Sequence, residues 1–132
     1  MASILKVDAL QGVTAAGSIL VTGEGNSTTT NLQQGLAKTW VNIDGAGTIA
    51  VRDSFNVGSL TDNGTGKYEI NFTNNFGNIN YCMVVGGFGG SGIGSNYDIS
   101  TNTTAVADVR GFAGTIYSDA DTLQCAALGD LA

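Results

Sequence analysis

Histidine and proline are both absent from the 132 residues of this chain. Without histidine, Ser-His-Asp and Cys-His nucleophile systems cannot form, and the commonest zinc ligand is missing. No run of eighteen apolar residues occurs, so we expect no membrane-spanning helix. From these absences we predict a protein that is not an enzyme, uses no metal or other cofactor and does not insert into a membrane.

Charged residues are also scarce, at 12% of the chain, and the net charge is −6. From residue 69 onward, six acidic residues are balanced by Arg110 alone. Because phosphate binding needs clustered Lys and Arg, we expect no nucleic-acid partner. The start of the chain, SILKVD at residues 3–8, lacks the apolar centre of a secretion signal, so we expect folding in a cytoplasm.

Cysteine occurs only twice, as Cys82 and Cys125, each in apolar sequence. Disulfides are rare in a cytoplasm, so the favoured interpretation is two buried free thiols. Whether the two cysteines pair is left open.

Glycine, in contrast, occurs 20 times, and the sequence around it is typical of short strands and tight turns. The clearest strand is 67–73, where Tyr68, Ile70 and Phe72 share one face and polar residues share the other. Asn63-Gly64 tolerates the positive φ of a hairpin turn, which predicts a hairpin between a strand at 48–57 and this one. A second hairpin is predicted between 40–43 and the strand containing Ile49.

Three further segments are predicted to be strands, at 80–85, 105–112 and 114–117, the first of them buried on both sides. Residues 123–128 are compatible with a last strand or a short helix. We therefore predict an all-β fold, an antiparallel, jelly-roll-like β-sandwich over residues 37–132. Its predicted core includes Trp40, Ile43, Val51, Phe55, Tyr68, Ile70, Phe72 and Met83.

Residues 1–36 are predicted to form an extended N-terminal arm. Segments 4–7 and 18–22 are short and β-like, 23–30 is polar, and 31–38 suits one or two helical turns broken at Gly35. Such a segment cannot bury itself, so we expect a neighbouring copy of the same chain to order it. This predicts an assembly of identical chains in which the arm serves subunit contacts and attachment.

Two local patterns could carry chemistry. Asp119 and Asp121 could form a weak cation site or a glycosidase pair, but a solvated turn is the favoured interpretation. GFGGSG at 87–92 matches the dinucleotide fingerprint, which we reject because no helix pattern follows it.

The segment 86–96 is instead interpreted as a glycine-rich loop with exposed aromatic rings at one end of the assembly. The residues proposed to contact a receptor or a neighbouring subunit are Gly87, Phe88, Gly89, Gly90, Gly92 and Tyr97. A plain connecting loop is the alternative.

The sequence NLQQGLAKTWVNIDGAGTIAVRDSFNVGSLTDNGTGKYEINFT, at 31–73, resembles a module of tail-fibre-like virion proteins from marine phages, including those of cyanobacteria and pelagic bacteria. The opening SILKVD is also similar to the start of such proteins. The resemblance covers residues 1–85, is most specific at 37–72, and does not extend beyond Gly86.

This resemblance implies a β-rich, trimeric virion structural protein, made in the cytoplasm of a bacterial host. The expected function is that of a tail-fibre-like or surface-appendage component that contributes to host attachment. Its expected partners are itself and, through the arm, other virion proteins, with host cell-surface glycan as a candidate. The alternative is a capsid decoration or cement protein on the phage head with no receptor role.

Overall fold

The computed structural model describes residues 4–13, 19–23, 25, 27–89, 93–98 and 101–132, with only the backbone of 93–98. The described chain is mostly β-structure in antiparallel sheets, which confirms the predicted all-β class. The elements are β1 (Leu20–Thr22), β2 (Thr29–Asn31), α1 (Leu32–Gly35), β3 (Thr39–Asp44), β4 (Ala50–Phe55), β5 (Val57–Asp62), β6 (Lys67–Phe72), β7 (Cys82–Phe88), β8 (Ile93–Asp98), β9 (Val106–Ala113), β10 (Ile116–Tyr117) and β11 (Thr122–Leu128).

The chain divides into two compact units, residues 1–36 and 37–132. In the first unit, β1 pairs with β2 antiparallel, and α1 follows directly. Asn31 caps this short helix, since its side-chain oxygen accepts a hydrogen bond of 3.1 Å from the Gln34 N–H. Residues 4–7 form no strand, contrary to the β-like segment predicted there. None of the described residues of this unit is buried.

The second unit contains a four-stranded sheet in the order β4-β3-β11-β7. The predicted hairpin from residue 40 through the turn after Asp44 is confirmed as β3 and β4, with a bulge between Asn42 and Ile43. The C-terminal segment is a strand rather than a helix, because Leu123, Cys125 and Ala127 alternate into the core with period two. It pairs with β3 on one edge and β7 on the other.

The same unit contains a five-stranded sheet built around β9. β8 pairs along one edge of β9, while β6 and the short β10 pair with successive parts of it, and β5 pairs with β6. The predicted turn at Asn63-Gly64 is confirmed: Gly64 and Gly66 have φ of 102° and 63°, and the Gly64 N–H donates to Asp62 Oδ1. The strand that enters this turn is β5, however, and not the predicted strand at 48–57.

Asn56 explains why that prediction was wrong. It is the only described non-glycine residue with positive φ, at 59°, and it separates β4 from β5, which belong to different sheets. Its amide donates to the carbonyls of Lys38 and Asn74, and its Oδ1 accepts from the Asn74 N–H at 2.7 Å. Asparagine tolerates this conformation, so the chain can change sheets within one residue.

Both sheets contribute side chains to one hydrophobic core, and Ile43, Tyr68, Ile70 and Phe72 are buried in it as predicted. Met83 packs against it while partly buried. The other three predicted core residues are exposed: Trp40 at 39%, Val51 at 43% and Phe55 at 52%. For Trp40 and Phe55 the cause is strand parity, because Trp40 must face away from the core if Val41 and Ile43 face into it, and Phe55 lies opposite Trp40.

The hydroxyl of Tyr68 joins the two sheets at one end of this core. It accepts a hydrogen bond from the Ala120 N–H at 3.2 Å and lies 3.1 Å from both Gly45 O and Asp119 Oδ1. Asp119 Oδ1 also accepts from the Gly66 N–H at 2.7 Å. One side chain of β6 thereby fixes the turn that leaves β3 and the segment that enters β11.

We predict that Tyr68→Phe lowers the free energy of unfolding by about 1–3 kcal/mol, because the buried Ala120 N–H loses its acceptor. Urea denaturation with an unchanged m-value measures this. Tyr117→Phe, at a ring 42% exposed, is the control and should change stability by less than about 0.5 kcal/mol. Equal effects of the two substitutions would contradict the role given to the Tyr68 hydroxyl.

Stability is also predicted to fall at alkaline pH. Burial raises the pKa of Tyr68 from 10.0 to about 12 and that of the Cys125 thiol from 9.0 to about 12. Between the ordinary and the raised pKa values, the unfolded chain loses protons that the folded chain keeps. The contribution of these two groups to the free energy of unfolding is therefore complete below pH 9 and declines toward pH 12. Denaturation at pH 8 and at higher pH tests this, and the slope should be smaller in Tyr68→Phe and Cys125→Ala. An unchanged slope in both variants would contradict it.

Candidate functional site

The candidate functional site is the outer face of the four-stranded sheet, formed by the side chains that point away from the core. Residues of β3, β11 and β7 alternate strictly between the core and this face. The strand register aligns the outward residues of neighbouring strands in rows across the sheet. The rows therefore show which side chains are neighbours.

One row is apolar from edge to edge. Phe55 pairs with Trp40, Trp40 with Ala126, and Ala126 with Val84. The exposed fractions of the three large side chains are 52% for Phe55, 39% for Trp40 and 61% for Val84. A contiguous apolar row on the surface is typical of a binding surface.

The next row is polar and ends at a glycine. Asp53 pairs with Asn42, Asn42 with Gln124, and Gln124 with Gly86. Asn42 Oδ1 is inaccessible to water and has no hydrogen-bond partner among the described residues. Since nearly all buried polar atoms are hydrogen-bonded, this oxygen needs an explanation.

A trough runs along the two rows. One part has a volume of about 480 Å³ and is lined by Trp40, Val41, Asn42, Val84, Val85, Gly86, Gln124, Cys125 and Ala126. A second part, of about 380 Å³, is lined by Gly86, Gly87, Phe88, Thr122 and Gln124. Gly86 and Gln124 line both parts, so the two are adjacent. A Cβ at Gly86 would meet no atom within 4 Å, which shows that this glycine opens the trough.

Arg52 fixes one end of the outer face. Its guanidinium pairs with Asp44 at 2.9 Å and donates to Thr122 Oγ1 at 2.8 Å and to the Asp121 carbonyl at 2.7 Å. These contacts join β4 to the end of β3 and the start of β11. The positive charge is thus already engaged by the protein.

The segment 86–96, predicted to be a glycine-rich loop, is largely a pair of strands. Gly87 and Phe88 lie in β7, and Tyr97 lies in β8, where its backbone pairs with Val109. Gly89 is buried, while Gly90 and Gly92 lie outside the described residues. The interpretation was wrong because Gly86 and Gly87 pair with Gln124 and Leu123 of β11, which the sequence of β7 alone does not reveal.

Phe88 is 71% exposed and lines the trough together with Gly87, so these two predicted contact residues belong to the site. The residues missed were Trp40, Asn42 and Gln124. The period-two pattern of β3 contained a usable signal, because it places Trp40 and Asn42 on the face opposite Val41 and Ile43.

Asp119, suggested as half of a carboxylate pair, is a structural acceptor. Its Oδ1 accepts hydrogen bonds from the Gly66 N–H and the Tyr68 hydroxyl. The described residues contain no group of three or more His, Cys, Asp or Glu placed to hold a metal ion.

Both cysteines are free, but only Cys125 is buried. Cys82 is exposed because it begins β7 on the outer face, two positions before Val84. The expectation of two buried thiols was therefore wrong for Cys82, as was the expectation that 80–85 is buried on both sides.

We predict that one thiol of the native protein reacts quickly with Ellman's reagent at pH 8 and that two react after unfolding in urea. The reason is that Cys82 is exposed, whereas burial raises the pKa of Cys125 to about 12 and blocks access. In the control variant Cys82→Ser, no fast reaction should remain. Fast reaction of two thiols in the native wild-type protein would contradict the placement of Cys125.

No helix among the described residues is long and apolar enough to cross a membrane. Comparisons with protein-family models, curated proteins and solved structures found no match.

Proposed function

We propose that this protein is a structural component of a phage virion, a homotrimeric tail-fibre-like or surface-appendage protein that contributes to host attachment. The sequence resemblance over residues 1–85 supports the virion assignment. The all-β fold agrees with it. In the described part of residues 37–132, two sheets contain eight strands of six or more residues, which is the strand number of the double-sheet jelly rolls of capsid and lectin domains.

The observation that carries the proposal is the unburied apolar surface of residues 1–36. Eight of the seventeen large hydrophobic side chains that are exposed among the described residues lie there: Ile4, Leu5, Val7, Leu10, Val13, Leu20, Val21 and Leu36. No described residue of this unit is buried, so the described part of the unit forms no core. Covering such side chains recovers about 25 cal/mol per Å² of apolar surface.

A depression within this unit gives the covering partner a place to insert. It has a volume of about 380 Å³ and is lined by Val7, Asp8, Ala9, Leu10, Ile19, Leu32, Gln33 and Leu36. Most of these side chains are apolar, and the depression is large enough for one or two apolar side chains of another chain. A second and third copy of the same protein would supply such side chains by symmetry.

A capsid decoration protein would use the same assembly chemistry. The position of the protein on the particle, head or tail, distinguishes the two roles.

We expect a trimer in light scattering of the purified full-length chain. Leu5→Ser combined with Leu10→Ser should shift the mass toward the monomer, because both exposed side chains contribute to the proposed contact. Ile116→Ser, at a side chain 72% exposed on β10, is the matched control and should leave the mass unchanged.

Particles that contain the wild-type protein or one of these variants are then labelled with a gold-conjugated antibody against the protein, which shows where on the particle the protein lies. Labelling of the tail or of an appendage agrees with the proposal, whereas labelling of the head surface selects the decoration role. A wild-type protein that is monomeric both in solution and on particles would overturn the trimer, and absence from purified virions would overturn the virion assignment.

A further inference from the structure

We propose that the trough on the outer face of the four-stranded sheet binds a neutral glycan, with Trp40 as the stacking platform. The inference deepens the attachment role and rests on that part of the proposed function. It replaces the predicted loop with a surface formed by β3, β7 and β11.

The first argument is the position of the indole ring. Trp40 lies in the inner strand β3, between Phe55 on one side and Ala126 on the other. The rigid sheet fixes its backbone, yet the side chain remains 39% exposed. An aromatic ring held in this way offers a flat apolar surface to the C–H face of a pyranose ring, and its N–H can still find a polar partner.

The second argument is the polar row next to that ring. Asn42 and Gln124 present amide groups to the same trough, one residue row away from Trp40 and Ala126. Sugars combine an apolar ring face with hydroxyl groups at the ring edge, so an apolar row beside an amide row matches both parts.

The third argument is Gly86. A glycine inside a strand weakens it, and often marks a place where a ligand or another backbone approaches closely. Gly86 has no positive φ, and a Cβ there would contact nothing, so the fold of this chain does not require glycine at this position. Its effect in the structure is to keep both parts of the trough open.

Charge favours a neutral glycan over an anionic one. The outer face carries Asp53, while Asp44 and Arg52 neutralise each other at 2.9 Å and the guanidinium also donates to Thr122 and Asp121. The chain as a whole has a net charge of −6. A sulfated or carboxylated polysaccharide would therefore be repelled, and no free cation of the described face would compensate.

Trp40 is the single tryptophan of the chain, so its fluorescence reports directly on the trough. The full-length protein is first applied to an array of bacterial and plant glycans. It is then titrated in solution with the neutral hexasaccharides of β-1,4-glucan, β-1,3-glucan and α-mannan and with any neutral glycan that the array identifies. We expect a saturable change in Trp40 emission with at least one neutral glycan and none with alginate, an anionic polysaccharide.

Gly86→Phe is the decisive variant, because phenylalanine fits a strand and fills the trough. It should weaken binding by about tenfold or more, which corresponds to 1.4 kcal/mol or more. Gly86→Ala is the matched control, because it removes the same glycine but adds only one methyl group. Its affinity should lie within about twofold of that of the wild-type protein, a much smaller change than the tenfold loss expected of Gly86→Phe. Asn42→Leu should also weaken binding, and circular dichroism checks that each variant is folded.

Three results would overturn the inference: no neutral glycan binds, Gly86→Phe binds as the wild-type protein does, or Trp40→Ala lowers the oligomer mass, which would make this face a subunit contact. These outcomes are separate from a failure of the proposed function. Glycan binding is measured on purified protein, whereas the virion assignment fails only if the protein is absent from particles.

Discussion

The hydrogen bonds around the Tyr68 hydroxyl are the constraint on which the described fold of residues 37–132 depends. This side chain belongs to the five-stranded sheet, and its partners, Gly45 and Ala120, flank β3 and β11 of the other sheet. The Gly45 N–H also donates to the Ala120 carbonyl at 3.0 Å, so the three residues close a ring. A Cβ at Gly45 would come within 2.5 Å of the hydroxyl, which is why only glycine fits there. Because β3 and β11 are neighbours, fixing their ends fixes the centre of the four-stranded sheet, and with it the geometry of the outer face.

Strand parity then decides what each sheet presents to solvent. In β3, Val41 and Ile43 enter the core, so Trp40 and Asn42 must point outward. In β7, Met83 and Val85 face the core, and Cys82 and Val84 do not. When the inward residues of these strands enter the core, apolar residues on their outer face stay exposed. The trough lies at Gly86, the outward position of the described strands of this sheet that has no side chain.

The presence of apolar residues on both faces of some strands also explains which features could be predicted from the sequence. The strand β6 was predictable because its outward residues are polar, so the alternation identifies the buried face without ambiguity. In β3 and β7 both faces carry apolar residues, and for that reason Trp40 was assigned to the core and 80–85 to a doubly buried strand. Local sequence could not reveal that Gly86 and Gly87 pair with β11, some forty residues later, or that the single residue Asn56 moves the chain from one sheet to the other. Of the candidate site, the sequence indicated Gly87 and Phe88, whereas the row that contains Trp40 depends on pairings between distant strands.

The two unburied surfaces of this protein differ in chemistry, and the difference bears on their roles. The exposed large hydrophobic side chains described in residues 1–36 are all aliphatic, and most of the residues that line the depression among them are apolar. Such a surface gains most from close contact with another apolar surface, as in an assembly of identical chains. The trough instead places an aromatic ring beside amide groups, one of which has an oxygen without a partner in the described chain. A purely apolar partner would cover the exposed Gln124 amide without offering it a hydrogen bond and would lose part of the energy gained from covering Trp40. A partner rich in hydroxyl groups avoids this penalty, which is why we propose assembly for the aliphatic surface and recognition for the trough.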